Sequence, residues 1–150
     1  MRERIEKAIT ELLSGKWGRL AKPSIGYVAG TSGKGQVFVV PSELVKTFGR
    51  PDTGSPDGKV SGSYYFQDEQ DNIVVLEDYK KTTLYYPEPF VDPQTRKTIQ
   101  MPTPDELWNS DTPTGFNVAS KSRAAALDFI NWLHSQVKVF DAQKQPAMPW

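Results

Sequence analysis

Asp68-Glu69-Gln70-Asp71, with Glu77 and Asp78 a few positions later, concentrates carboxylates of the kind that bind a hard cation, and a metal-dependent hydrolase is one reading of them. The calcium-loop grammar is missing, because no glycine bends the run and no bidentate glutamate closes it. A solvated hairpin tip accounts for the same residues. Glu77 and Asp78 are adjacent, and neighbours on a strand project to opposite faces, so they do not converge on one bond as acid and base. His134 is the only histidine and cysteine is absent, which removes a thiolate nucleophile, a thiolate ligand and a multi-histidine metal site from the chain's own repertoire. These residue types predict neither a metal nor a cofactor.

Gly30-Thr-Ser-Gly-Lys-Gly35 has the composition of an anion cradle, in which backbone N–H groups and a lysine wrap a phosphate. The P-loop spacing fails, since Lys34 is followed by Gly35 and a β-prone run, and a mobile hairpin loop is the simpler expectation. Lys16, Trp17, Arg19 and Lys22 place one aromatic among three cations, and with Lys34 they make up a candidate nucleic-acid or nucleotide surface. A helix-to-strand connector with Trp17 packed inward fits the same stretch. Tyr85, Tyr86, Phe90 and Trp108 load a proline-spaced segment with the residue types enriched at binding hot spots, and these four are the candidate contacts for a protein partner, although packing of the segment onto the sheet explains the same aromatics.

The elements that position these groups follow from periodicity. Ile5, Ala8, Ile9, Leu12 and Leu13 recur at helical spacing before Gly15, and Ala126, Phe129, Ile130, Leu133 and Val137 form the apolar face of a second helix capped by Ser120 or Ser122. Residues 24–29 and 36–40 read as short strands, and Ser42 as the N-cap of a two-turn helix that stops at Gly49. Val60, Tyr64 and Phe66 alternate with Ser61, Ser63 and Tyr65. The run from Ile73 to Leu76 is apolar on both faces and reads as a central strand. Thr82 to Tyr86 reads as a further strand or a continuation of that one. Between 87 and 115 six prolines break any long element, which predicts an arm, lid or binding loop with a helical turn at Pro104 to Trp108.

At 150 residues and 37% hydrophobic content the chain is the size of one domain and can bury one sizeable core. The expected fold is α+β: an antiparallel sheet of about four to six strands flanked by the N-terminal and C-terminal helices. Eighteen basic and eighteen acidic side chains cancel, so no net field draws the molecule to nucleic acid or anionic lipid. Residues 1–50 carry nine basic against four acidic groups and residues 51–110 five against eleven, an asymmetry that fits intramolecular complementarity or a partner-facing patch. The first thirteen residues have charges throughout, so they read as neither a secretory signal nor a membrane span, and a cytoplasmic location is expected.

Phe48-Gly49-Arg50-Pro51, then Asp57-Gly58-Lys59-Val60 with Tyr65 or Phe66, then Val74-Val-Leu-Glu-Asp-Tyr-Lys80, resembles a block found in small proteins of phages and large DNA viruses. There an FGxP turn precedes a strand pair ending in an IYDYK-like motif, and Gly115-Phe-Asn-Val118 with the following helix takes the place of a later strand and helix. Leu76-Glu77 departs from the usual isoleucine-tyrosine, and the segment after Tyr86 has no counterpart in that pattern. The resemblance implies a viral origin and an α+β fold, and no reaction. The expectation is a non-catalytic accessory protein, cytoplasmic in the host cell, that binds a host or viral protein, a defence component among the candidates.

Overall fold

A computed structural model describes residues 17–20 and 32–141. The expected N-terminal helix, the strand at 24–29, Lys16, Lys22 and the C-terminal tail lie outside them. The α+β expectation holds: a six-stranded, wholly antiparallel sheet carries helices on one face. Strand β4 (Val60–Gln67) and strand β5 (Ile73–Tyr79) form its central hairpin. Strand β8 (Thr114–Ser120) pairs with the far side of β5, and β2 (Ser32–Val39) pairs with β8. Two short strands, β1 (Gly18–Leu20) and β3 (Asp52–Thr53), lie along the outer edge of β4.

Alternation decides which side chains meet. Val74 and Leu76 on β5, Tyr64 and Phe66 on β4, Phe116 and Val118 on β8, and Val37 and Val39 on β2 face the helices and form the main core. Against them pack helix α1 (Pro41–Phe48) and helix α3 (Arg123–Gln136), the latter through Ala125, Ala126, Phe129 and Leu133. Phe129 meets Phe66 with ring centroids 4.9 Å apart and Trp17 at 5.4 Å, and burial of rings this size contributes about 1.5–3 kcal/mol each. Ser122 is the cap of α3, its hydroxyl accepting from the Ala125 N–H at 3.1 Å.

Four local expectations are corrected. The Gly-rich stretch is strand from Ser32 onward, because a bulge between Gly33 and Gly35 lets β2 stay paired with β8 across the extra residue. Ser42 is not a cap: Val40 holds that position with Pro41 in the first turn, and the Ser42 hydroxyl instead donates to Asp111 Oδ1 at 2.5 Å. Thr82 to Tyr86 is a turn, since Lys80 adopts φ 57° and the Thr82 carbonyl accepts from both Tyr85 and Tyr86 at 3.2 Å. The proline-spaced segment is not a free arm. It contains a two-strand clip, β6 (Phe90–Val91) with β7 (Thr98–Ile99), and the short helix α2 (Pro104–Trp108), which buries Leu107 and Trp108 in the main core. Thr103 and Glu106 close a reciprocal capping box at the start of α2.

Candidate interaction surface

Tyr85, Tyr86 and Phe90 come together. The Tyr85 and Tyr86 rings meet edge to face at 4.8 Å, and Tyr86 and Phe90 lie 4.9 Å apart. The Lys80 ammonium sits over both Tyr79 at 5.2 Å and Tyr85 at 4.9 Å, which ties the end of β5 to this cluster. Leu84 and Val91, each beside a member of the cluster in sequence, are 54% and 60% exposed, and Tyr79 is 43% exposed. The rings and Lys80 form one cluster, and Leu84 and Val91 add exposed apolar side chains to the same segment of chain. Trp108 is not part of the cluster, being 5% exposed and stacked near Tyr64 and Phe116.

Trp108 belongs to a buried polar node. Its Nε1 donates to Ser61 Oγ at 3.1 Å, and the Ser61 hydroxyl donates in turn to Asp78 Oδ2. The backbone N–H groups of Ser61 and Gly62 donate to Asp78 Oδ1 at 2.9 and 2.8 Å. Here β4 is irregular, its register with β5 shifting between Val60 and Ser63, so the carboxylate supplies acceptors that the strand ladder does not. Burial raises the Asp78 carboxyl to about 6 against the pull of those donors. Lys81, also buried, has its ammonium pushed down by burial with Asp78 opposing the shift. The node is enclosed, and its chemistry is that of a fastening.

As adjacency on a strand requires, Glu77 projects to the other face. Ser63, Glu77, Asn117 and Gln36 are in register across β4, β5, β8 and β2, forming a polar row. Asn117 Nδ2 donates to Glu77 Oε1 at 3.2 Å, and burial raises the Glu77 carboxyl above the usual range despite that bond. Beside this row run Tyr65, Val75, Ala119 and Gly33, also in register. Glu77 and Asn117 of the first row and all four residues of the second line a groove of about 470 Å³ with Ser32 and Tyr79, and a further space of about 350 Å³ continues it past Lys80, Lys81, Gln36 and Gly115. A β-carbon at Gly115 would lie 2.6 Å from Gln36 Nε2, the movable end of an exposed side chain, and 3.2 Å from Phe38 Cε1.

The basic set does not assemble into one surface among the described residues. Trp17 is buried with Nε1 donating to Asp128 Oδ2 at 3.0 Å, the inward-packed connector. Arg19 is held by the fold: Nη1 donates to the Phe48 carbonyl at 2.5 Å, Nη2 to the Arg50 carbonyl at 2.6 Å, and the guanidinium lies 4.7 Å from the Tyr64 ring centre. Lys34 donates to Ser32 Oγ at 2.6 Å on β2. Asp68 closes the β4–β5 hairpin, accepting from the Gln70 and Asn72 N–H groups and the Asn72 amide, while Asp71 accepts from Gln67. His134 is exposed on the last turn of α3. No group of three or more potential metal ligands is found among the described residues, and no described helix is long and apolar enough to cross a membrane.

Sequence reasoning missed the Glu77–Asn117 pair and the aromatic walls around it. The partners lie 40 positions apart, and only the β5–β8 register joins them. No family model matches the chain, and no curated protein matches it.

Proposed function

We propose that this protein is a binding module that captures a protein partner through the edge formed by Tyr79, Leu84, Tyr85, Tyr86, Phe90 and Val91. The observation that carries this reading is the ring cluster itself: Tyr85–Tyr86 and Tyr86–Phe90 in mutual contact at 4.8 and 4.9 Å, on a segment whose Leu84 and Val91 are more than half exposed. Isolated surface apolar residues need no explanation, whereas a cluster of partly exposed tyrosine and phenylalanine rings has the composition of an interaction site. The resemblance to phage and large-DNA-virus proteins makes a host or viral protein the expected class of partner, and a host defence component falls within it. The contacts act through shape and apolar area, without a bond-breaking step.

Deleting the whole 87–115 segment is not the test, because Leu107 and Trp108 would leave the core with it. The test is affinity capture from infected-cell lysate with wild type beside Leu84→Ser/Val91→Ser, followed by mass spectrometry. A protein retained by wild type and lost by the double variant, at unchanged melting temperature, supports the reading. Equal capture by both sinks it.

A further inference from the structure

Among the described residues that line the groove Glu77 is the only carboxylate, and it stands with Ser32, Gly33, Asn117, Tyr65, Tyr79, Val75 and Ala119. One of its oxygens accepts from Asn117, and the other takes no hydrogen bond from any described residue. Gly33 leaves one wall low: a β-carbon there would approach Asn117 Oδ1 to 3.1 Å. The site is thus a groove over the buried side chains of Tyr65, Val75 and Ala119, against which Leu20 packs, with Glu77 offering one acceptor oxygen that no described residue uses. A metal ion finds too few ligands in it, and a neutral apolar group leaves a half-buried carboxylate further desolvated without a partner. A cation on an aliphatic stem meets both demands, laying its methylenes along the exposed Tyr79 ring and its head against Glu77.

We propose that the groove over Val75, Glu77, Asn117 and Ala119 receives one arginine or lysine side chain from a polypeptide partner. This rests on the protein-binding reading for the source of the side chain. The charge of the groove and its apolar walls determine the chemistry. Burial, which holds the Glu77 carboxyl above its ordinary range, adds a consequence: an arriving cation stabilises the ionised form, so binding weakens as pH falls through that range.

The test is a ¹H–¹⁵N NMR titration of the full chain with N-acetyl-arginine methylamide, N-acetyl-lysine methylamide and the neutral citrulline analogue. Saturable shifts are expected at the Asn117 side-chain amide and the Val75 and Ala119 amides with either basic probe. The citrulline analogue should bind at least about tenfold more weakly, the loss of one charge-assisted contact. Glu77→Gln should remove that preference, and Ala119→Leu, which fills the floor and keeps the charge, should abolish the shifts. Tyr86→Ser should leave them intact, separating this groove from the aromatic edge. Equal binding of the citrulline analogue, persistence of the preference in Glu77→Gln, or no shift with either basic probe overturns the proposal. Capture of a partner through the aromatic edge would then stand or fall by its own assay.

Discussion

The indole of Trp108 lies so close to Gly62 that a β-carbon at that position would sit 2.7 Å from Cζ2, with Pro51 Cγ at 2.8 Å on the same side. Gly62 is therefore chosen by side-chain packing, and helix α2 reaches the sheet only because β4 lacks a side chain there. Gly62→Ala should push Trp108 off its seat and lower stability by about 1–3 kcal/mol, the usual cost of overpacking. Denaturant unfolding followed by tryptophan fluorescence measures it. An unchanged midpoint would show that the α2 contact yields freely.

Asp78 gives stability a pH dependence of definite sign. In the folded chain its carboxyl sits at about 6, and in the unfolded chain it reverts towards 3.8. Below both values each state binds the proton and the full contribution is present. Between about pH 4 and pH 6 the unfolded state ionises first, so stability falls as pH rises, by on the order of 3 kcal/mol, and levels off above. Asp78→Asn keeps an acceptor oxygen for the Ser61 and Gly62 N–H groups but cannot ionise, so the slope should shrink in it to the same-signed remainder from Glu77 and Asp128, whose carboxyls burial also raises. Chemical unfolding of both proteins at about pH 3.5 and about pH 7.5, one on each side of that window, reads the difference. Asp78→Ala, which orphans two buried N–H groups, should be destabilised at both pH values.

The central hairpin was legible because its alternation is strict over β4 and its apolar run over β5 is unbroken. The two-turn helix ending at Gly49 was legible for a similar reason, since Gly49 adopts φ 84° and its N–H reaches the Val45 carbonyl. What escaped the sequence depends on long-range pairing. Gly33-Lys34-Gly35 has loop composition, yet the ladder with β8 absorbs it through a bulge, and tertiary pairing overrides local preference. Trp108 has the composition of a contact residue, and its contacts with Tyr64, Phe116 and Ser61, the last 47 positions away, make it core. The Asp78 node and the Glu77 groove share this property: each is assembled from segments whose adjacency no local pattern records.

Arg19 should behave as a structural residue. Its planar fork reaches two main-chain carbonyls while the guanidinium lies over Tyr64 and 3.6 Å from Asp52, a geometry an ammonium cannot copy. Arg19→Lys preserves charge, so it should lower stability by about 1–3 kcal/mol and leave any salt-dependent retention on heparin unchanged. Retention that drops while the melting temperature holds would assign Arg19 to a phosphate contact instead.

Trp108 and the aromatic edge should separate cleanly under mutation. Trp108→Phe keeps most of the ring volume beside Tyr64 and Phe116 but removes the Nε1 donor to Ser61, so it should cost about 1 kcal/mol and partner capture should persist. Leu84→Ser/Val91→Ser removes apolar area already in water, so folding loses little and capture should fail. The two measurements, a melting curve and a capture assay on the same preparations, form a crossed pair in which each variant changes only one readout. If Trp108→Phe lost capture at an unchanged melting temperature, the indole would have to reach a partner, which its 5% exposure opposes. If the Leu84/Val91 pair lowered the melting temperature as Trp108→Phe does, those side chains would be supporting the fold, and the edge they form would lose its standing as an interaction surface.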